Sequence, residues 1–162
     1  MVVVSNTSPI SNLAIVGRLE FLRQRYAVVR IPPAVADELA ALTHPAGCLR
    51  IKAALTDRWL VVEPPGKSVP PQLPFPLDPG ETAAIALACQ LKAGVLLMDE
   101  KRGREAARRC GLVVAGALGE LIHAKLAGWI PNVRDEIQRL RLEAGFFVDV
   151  PVEKFILSQV GE

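Results

Sequence analysis

Hydrophobic residues in this chain follow two patterns: short runs that are wholly apolar, and longer stretches in which apolar positions recur every three or four residues. The longer stretches predict amphipathic helices, and the short runs predict strands buried in a parallel sheet. Since the two kinds alternate, we expect an α/β fold of three layers, with a mostly parallel sheet of about five strands flanked by helices. The predicted strands are residues 2–4, 27–31, 59–62, 95–98 and 112–114.

The clearest local signal is the stretch that begins at Asp78. Asp78 is suited to an N-cap, Pro79 to the first helical position, and Glu81 to the carboxylate of a capping box three residues after the cap. The helix is expected to run to about Lys92, with Gly94 ending it. The buried strand 95–98 follows, and Asp99 is the first polar residue after that strand.

The other predicted helices are defined by proline, glycine and apolar spacing. The first has Ser8 as its N-cap and Pro9 in its first turn, and a later one opens at Pro32-Pro33. Residues 64–76 are rich in proline and predict a loop or flap of functional length. The remaining helices are predicted at 18–26, 48–55, 103–110, 117–127, 133–144 and 152–160.

Composition narrows the class of protein. A length of 162 residues corresponds to about one domain, so residues 1–162 are expected to form a single unit. With 51% hydrophobic but only 5% aromatic residues, the core should be aliphatic. Three cysteines without paired spacing are expected to be reduced core thiols of a cytoplasmic protein, and we expect neither a signal peptide nor a membrane span.

Polar residues collect at predicted strand exits and helix starts. Asn6 follows the first strand, Glu38 lies on the helix after the second, Glu81 opens the helix before the fourth, and Asp99 follows the fourth. If the strand order is 3-2-1-4-5, the first and fourth strands flank the point where ligands bind in open α/β sheets, and these side chains converge there. Oxygen ligands without histidine or cysteine suit Mg²⁺ or Mn²⁺, and such a site predicts metal-assisted phosphodiester hydrolysis.

A basic stretch lies next to Asp99. The net charge of +2 is too small to indicate nucleic-acid binding by itself, so this local cluster carries the prediction. Arg104 and Arg108 are four residues apart and share a helical face on which RNA phosphates could be held. The residues predicted to contact nucleic acid are Lys101, Arg102, Arg104 and Arg108.

Each residue also has a simpler structural interpretation. Glu81 can be a capping-box residue only, and Glu38 can belong to a solvated helix face. Asn6 and Asp99 are common at turns, and a basic run is often only an exposed helix face. The combination of the four residues, rather than any one of them, favours a site.

The sequence resembles the PIN domain family of metal-dependent ribonucleases, typified by the VapC toxins, over essentially the whole chain. The motifs that carry the resemblance are Val-Val-Ser-Asn-Thr-Ser-Pro, Leu-Asp-Pro-Gly-Glu, Leu-Met-Asp-Glu-Lys-Arg-Gly-Arg and Ala-Gly-Ala-Leu-Gly-Glu-Leu-Ile. The resemblance implies a PIN-like fold, with catalytic acids at Glu38, Glu81 and Asp99 and with Asn6 where the general pattern has an acid. Metal ligands are expected from these four and Glu100, and Thr7 and Ser8 are expected to line the site.

The resemblance also implies an RNA endonuclease that uses Mg²⁺ or Mn²⁺, acts as a homodimer and is held inactive by a small antitoxin. An amide at Asn6 keeps an oxygen ligand but removes a negative charge, so affinity for a divalent ion should fall. The alternative function is therefore a catalytically weak RNA- or antitoxin-binding module. A nucleotide-binding protein is disfavoured because neither G-x-G-x-x-G nor G-x-x-x-x-G-K-[ST] occurs.

Overall fold

The computed structural model describes residues 1–162, in which five short strands alternate with nine helices. The strands are β1 (Val3–Ser5), β2 (Val29–Ile31), β3 (Leu60–Val62), β4 (Val95–Leu97) and β5 (Val114–Ala115). The helices are α1 (Thr7–Ile15), α2 (Glu20–Tyr26), α3 (Pro33–Ala40), α4 (Pro45–Thr56), α5 (Pro79–Gln90), α6 (Lys101–Arg109), α7 (Ala117–Leu126), α8 (Val133–Ala144) and α9 (Val150–Gln159).

All strand pairs are parallel, and the order β3-β2-β1-β4-β5 confirms the predicted topology. β1 is central: Val4 pairs with Arg30 of β2 on one side and with Leu96 of β4 on the other. After β1 the backbone N–H of Asn6 still donates to the carbonyl of Leu97, at 2.9 Å. The segments that follow β1 and β4 therefore leave the sheet side by side.

The core is aliphatic, as the composition predicted. The strand residues Val4, Leu96 and Leu97 are fully buried, and so are apolar helix residues such as Ile85 of α5 and Leu121 of α7. Burial on both faces explains why the strand sequences are continuous apolar runs rather than alternating ones.

Several element boundaries differ from the sequence prediction. Helix α1 begins at Thr7 with Asn6 as its N-cap, so the prediction that Ser8 is the cap is wrong. Ser8 lies inside the first turn of the helix, and its hydroxyl donates to Glu100. Helix α6 begins two residues earlier than predicted, at Lys101, because Glu100 already has the extended backbone of an N-cap.

Two further corrections lie in the C-terminal half. β5 is Val114–Ala115 rather than residues 112–114, since pairing with β4 extends it to Ala115. Helix α9 begins at Val150, where the side chain of Asp149 accepts a hydrogen bond from the N–H of Val152 and caps the helix.

The proline-rich connection between β3 and α5 contains no helix or strand, as predicted. We name residues 64–77 the proline-rich strap. Leu73, Phe75 and Leu77 are half-buried against the core and alternate with exposed residues, so the strap lies flat on the domain. At its start, the N–H of Gly66 donates to Oε1 of Gln90 at the end of α5, at 2.8 Å.

Outside the site, two half-buried arginines form ion pairs with buried glutamates of the C-terminal helices. Arg18 binds Glu136 of α8 at 2.6 Å, and Arg25 binds Glu120 of α7 at 3.1 Å.

The three cysteines are free, but they are half-buried rather than the core residues that were expected. No helix is long and apolar enough to cross a membrane.

Candidate active site

Asn6 lies where β1 ends and α1 begins, next to the exit of β4. Only 3% of the residue is exposed. Its amide nitrogen donates to Oε2 of Glu100 at 3.3 Å, and its amide oxygen, Oδ1, is buried without any hydrogen-bond partner. Since buried polar atoms are almost always satisfied, this unpaired oxygen is an unusual acceptor at the centre of the sheet edge.

The first turn of α1 supplies two hydroxyl groups to the same edge. Thr7 donates to Oε2 of Glu38 and Ser8 donates to Oε1 of Glu100. Because α1 starts directly after β1, its first turn has to lie at the carboxyl edge of the sheet. Thr7 and Ser8 therefore lie at the acidic edge, and each is hydrogen-bonded to one carboxylate.

Glu81 combines a structural contact with a position in the site. The N–H of Glu81 donates to Oδ1 of Asp78 at 2.8 Å, and the N–H of Asp78 donates to Oε2 of Glu81 at 3.4 Å, so the predicted capping box is present. The residue is 7% exposed. Burial, followed by the negative charges of Asp78, Glu100 and Glu38, raises the pKa of the Glu81 carboxyl, while the hydrogen bond from Asp78 opposes that shift.

Glu38 reaches the same place from α3. A Cβ atom added to Gly80, in the first turn of α5, would lie 2.4 Å from Oε1 and 2.6 Å from Oε2 of Glu38. The carboxylate thus rests against the amino-terminal end of α5, where the helix dipole favours negative charge. The fold thus brings Glu38 and Glu81, which are 43 positions apart in the chain, to the same end of α5.

Asp99 and Glu100 are neighbours in the chain but point to different partners. Oδ1 of Asp99 accepts from the N–H of Ala117 at the start of α7, at 2.8 Å, and Oδ2 accepts from the amide of Asn12 at 3.3 Å. Glu100 instead contacts Asn6 and Ser8. Glu100 therefore lines the cleft together with Glu81, whereas the carboxylate of Asp99 is bound at the start of α7.

The carboxyl group of Asp99 is perturbed more than any other carboxyl at this edge. Burial raises its pKa to about 6, the backbone N–H of Ala117 opposes the shift, and the charge of Glu100 adds to it. A carboxylate with such a pKa is kept ionised at neutral pH only at a cost in stability.

A cleft of about 440 Å³ opens beside these acids. Its lining combines acidic side chains, basic side chains from the first turn of α6 and the last two residues of the strap. The lining residues are Pro76, Leu77, Asp78, Glu81, Glu100, Lys101 and Arg102.

The predicted basic cluster is divided by the structure. Lys101 and Arg102 are exposed at the cleft, and Arg108 is exposed further along α6. Arg104 is half-buried and donates to the carbonyl of Met98 at 2.8 Å. The expectation that Arg104 and Arg108 form one phosphate-binding face does not match this geometry, because the guanidinium of Arg104 is used inside the protein.

The donor set at this edge suits a hard divalent cation in its chemistry. Every candidate ligand is an oxygen, and the unpaired Oδ1 of Asn6 is an acceptor that a cation would satisfy. In this conformation, however, no three acidic, histidine or cysteine side chains are arranged to hold an ion. In this conformation the carboxylates of Glu38 and Glu100 accept hydrogen bonds from Thr7 and Ser8.

Sequence reasoning missed several residues of the site. Asn12 contacts Asp99, Asp78 lines the cleft, and Phe75 lies under the guanidinium of Arg102. One signal was available for Asn12: it is four residues after Ser8, so the two polar side chains share one face of a largely apolar helix. No local signal points from Phe75 to the site.

The fold and the cleft define the class of protein. It is an open parallel α/β domain with an acidic site at the point where the strand order reverses, which is where ligands bind in such sheets.

Comparison with known proteins then gives the family. The family model DUF3368, described as a PIN domain, matches residues 2–162, so the chain belongs to the PIN domain family. PIN domains generally have a nuclease fold, usually use divalent metals and act on nucleic acid.

A solved structure supports the same fold. The chain is similar to a PilT N-terminus domain protein from the hyperthermophilic archaeon Sulfolobus solfataricus P2, with 19% sequence identity and a TM-score of 0.55. The match covers 76% of this chain and 93% of the archaeal chain. No curated protein matches the sequence.

Proposed function

We propose that this protein is an endoribonuclease that depends on Mg²⁺ or Mn²⁺ and hydrolyses phosphodiester bonds at the cleft beside Glu81. The observation that carries the proposal is the buried, unpaired Oδ1 of Asn6 at an edge where Glu38, Glu81 and Glu100 also collect. An oxygen acceptor left without a partner among carboxylates is what a cation site is expected to contain before the ion binds.

The residues of the chain have distinct proposed roles. Asn6, Glu38, Glu81 and Glu100 would hold the ion, and Asp99 belongs to the site because its charge adjoins that of Glu100. When bound, the ion would supply a Lewis acid that activates water and offsets the charge developing on the phosphate. Lys101 and Arg102 line the same cleft, where they would bind and orient the RNA backbone.

Raised carboxyl pKa values fit this proposal. Like charges crowd Glu81, and a divalent ion would lower that repulsion and favour the ionised carboxylates. Thr7 and Ser8 would hold Glu38 and Glu100 in place while the ion is absent.

A specific observation favours the second candidate, a catalytically weak RNA- or antitoxin-binding module. Asn6 donates to Glu100 and contributes no charge, so the site has one carboxylate fewer than the general family pattern.

Three proposals rest on the resemblance to VapC toxins: toxin activity, control by a small antitoxin and assembly as a homodimer.

The experiment is cleavage of a panel of structured and unstructured RNAs, with single-stranded DNA alongside, in Mg²⁺, Mn²⁺ and EDTA. Glu81→Gln is the informative variant, because glutamine also completes a capping box but carries no charge. Glu143→Gln, an exposed residue on α8, is the matched control. Cleavage that needs metal, persists in the control and is lost in Glu81→Gln supports the nuclease. If the wild type is inert and Asn6→Asp cleaves RNA, the catalytically weak binding module is supported. Cleavage of DNA without cleavage of RNA refutes the proposal that RNA is the substrate.

A further inference from the structure

The proline-rich strap places an aromatic ring against a basic residue that lines the cleft. The guanidinium carbon of Arg102 lies over the ring of Phe75, 4.7 Å from its centroid. Phe75 is half-buried and is the inward-facing residue between Leu73 and Leu77. Strap and α6 are separated by the whole of α5 and β4 in the chain, so this contact exists only in the folded domain.

Arg102 has a second contact with the strap. One of its Nη atoms donates to the carbonyl of Pro76, at 3.5 Å. The ring and the carbonyl together hold a side chain that is otherwise exposed and has no carboxylate partner among the ion pairs of the protein. A long arginine side chain at the mouth of a cleft would normally sample many rotamers, and fixing it lowers the entropy lost when it binds a phosphate.

The other basic residues of α6 are held differently. Arg109 also lies over Phe75, but its guanidinium is 5.9 Å from the centroid and is bound to Glu105 at 2.6 Å. Arg104 donates to a backbone carbonyl inside the protein. Of the two cations that line the cleft, Lys101 and Arg102, Arg102 is the one with recorded contacts to the strap.

The strap itself is well suited to hold a fixed position. Six of the fourteen residues from 64 to 77 are proline, which restricts the backbone before any contact is made. Its first part is bound to Gln90 of α5 through the N–H of Gly66, and its last part continues into the N-cap Asp78. The ring of Phe75 is thus presented from a segment attached at both ends.

We infer that Phe75 is a positioning residue for nucleic-acid binding: it holds Arg102 at the rim of the acidic cleft, ready to bind a phosphate next to the scissile bond of single-stranded RNA. This inference deepens the proposed function and rests on it. It assigns the proline-rich strap a role in substrate binding that goes beyond packing against the core.

The test is the affinity for a fluorescein-labelled single-stranded RNA of mixed sequence, measured by anisotropy in EDTA so that the RNA stays intact. Phe75→Leu keeps an apolar side chain but removes the aromatic face, and it should weaken binding by about 2- to 5-fold. Phe75→Trp should restore wild-type affinity, because tryptophan provides the best face for a guanidinium. If Phe75→Leu removes one phosphate contact, the dependence of the association constant on salt should weaken. The slope of its logarithm against the logarithm of the salt concentration should become less negative by up to about 0.7.

A double-mutant cycle separates positioning from general damage to the fold. In the Arg102→Ala background, Phe75→Leu should have no further effect, whereas in the Arg108→Ala background it should weaken binding as it does in the wild type. Equal loss in the Arg102→Ala and wild-type backgrounds would overturn the inference, and so would unchanged affinity in Phe75→Leu. A wild-type protein that binds no RNA would overturn the proposed function together with the inference, whereas RNA binding that is indifferent to Phe75 would overturn the inference alone.

Discussion

The substitution Asn6→Asp tests whether the unpaired oxygen at the sheet edge belongs to a cation site. It replaces the amide that donates to Glu100 at 3.3 Å with a second carboxylate, in a residue that is 3% exposed. Two unit charges about 4 Å apart repel by about 4 kcal/mol at an effective dielectric of about 20, which sets an upper limit. Partial protonation and movement of Glu100 should reduce this, so we expect the free energy of unfolding in EDTA to fall by about 2–3 kcal/mol.

Metal should reverse that loss if the site is where we place it. A ligand present at about 100 times its dissociation constant stabilises a protein by about 2.7 kcal/mol. Saturating Mn²⁺ should therefore bring Asn6→Asp close to the wild type, and it should raise the midpoint of thermal unfolding of the variant more than that of the wild type. The assay is thermal and urea unfolding at pH 7 in EDTA and in Mn²⁺, with metal affinity measured by calorimetry.

Asn132→Asp is the matched control. Asn132 is also an N-cap asparagine, at α8, and its amide nitrogen also donates to a carboxylate, that of Asp135 at 3.1 Å. Asp135 is exposed, so solvent should screen the new repulsion and the stability change should stay within about 0.5 kcal/mol, with or without Mn²⁺. The reasoning is refuted if Asn6→Asp is no less stable than the wild type in EDTA, or if Mn²⁺ stabilises the two variants equally.

Three further outcomes follow from the contacts described. Because folding raises the pKa of Asp99 to about 6, this residue favours the folded state below about pH 4, and that contribution is lost as the pH rises through about 6. Asp99→Asn should therefore raise the free energy of unfolding at pH 7 by up to about 3 kcal/mol and flatten the decline of that free energy between about pH 4 and 6. Urea unfolding at several pH values measures both effects. The same substitution should impair cleavage. In Gly80→Ala the new Cβ would displace the Glu38 carboxylate, which it would meet at 2.4 Å, so cleavage should fall by about tenfold or more with little change in the unfolding midpoint. Glu136→Gln leaves Arg18 without its charged partner and should lower the free energy of unfolding by about 1–3 kcal/mol in urea, with unchanged RNA affinity as the functional control.

The fold was readable from the sequence because its signals are local or periodic. Buried parallel strands have to be apolar on both faces, so Val3 and Val4 or Leu96 and Leu97 appear as unbroken apolar runs. The capping box at Asp78 and Glu81 is likewise a contact between residues three apart, and it forms as predicted. Errors occurred at element boundaries: Ser8 was predicted to cap α1, but the extended backbone at Asn6 makes that residue the N-cap, and Ser8 lies inside the helix with its hydroxyl bound to Glu100.

The sequence by itself determined the alternation of strands and helices and the group of polar residues that the hypothesised strand order brings to one edge. Only the tertiary structure established that order and decided which partner each side chain has: Glu100 lines the cleft with Glu81, Asp99 binds the start of α7, Arg104 turns inward, and Phe75 reaches Arg102. The physical reason is that periodicity and capping depend on neighbours within a turn of the chain. The direction of a long polar side chain depends instead on which donors, acceptors and rings other elements place within a few ångströms of it.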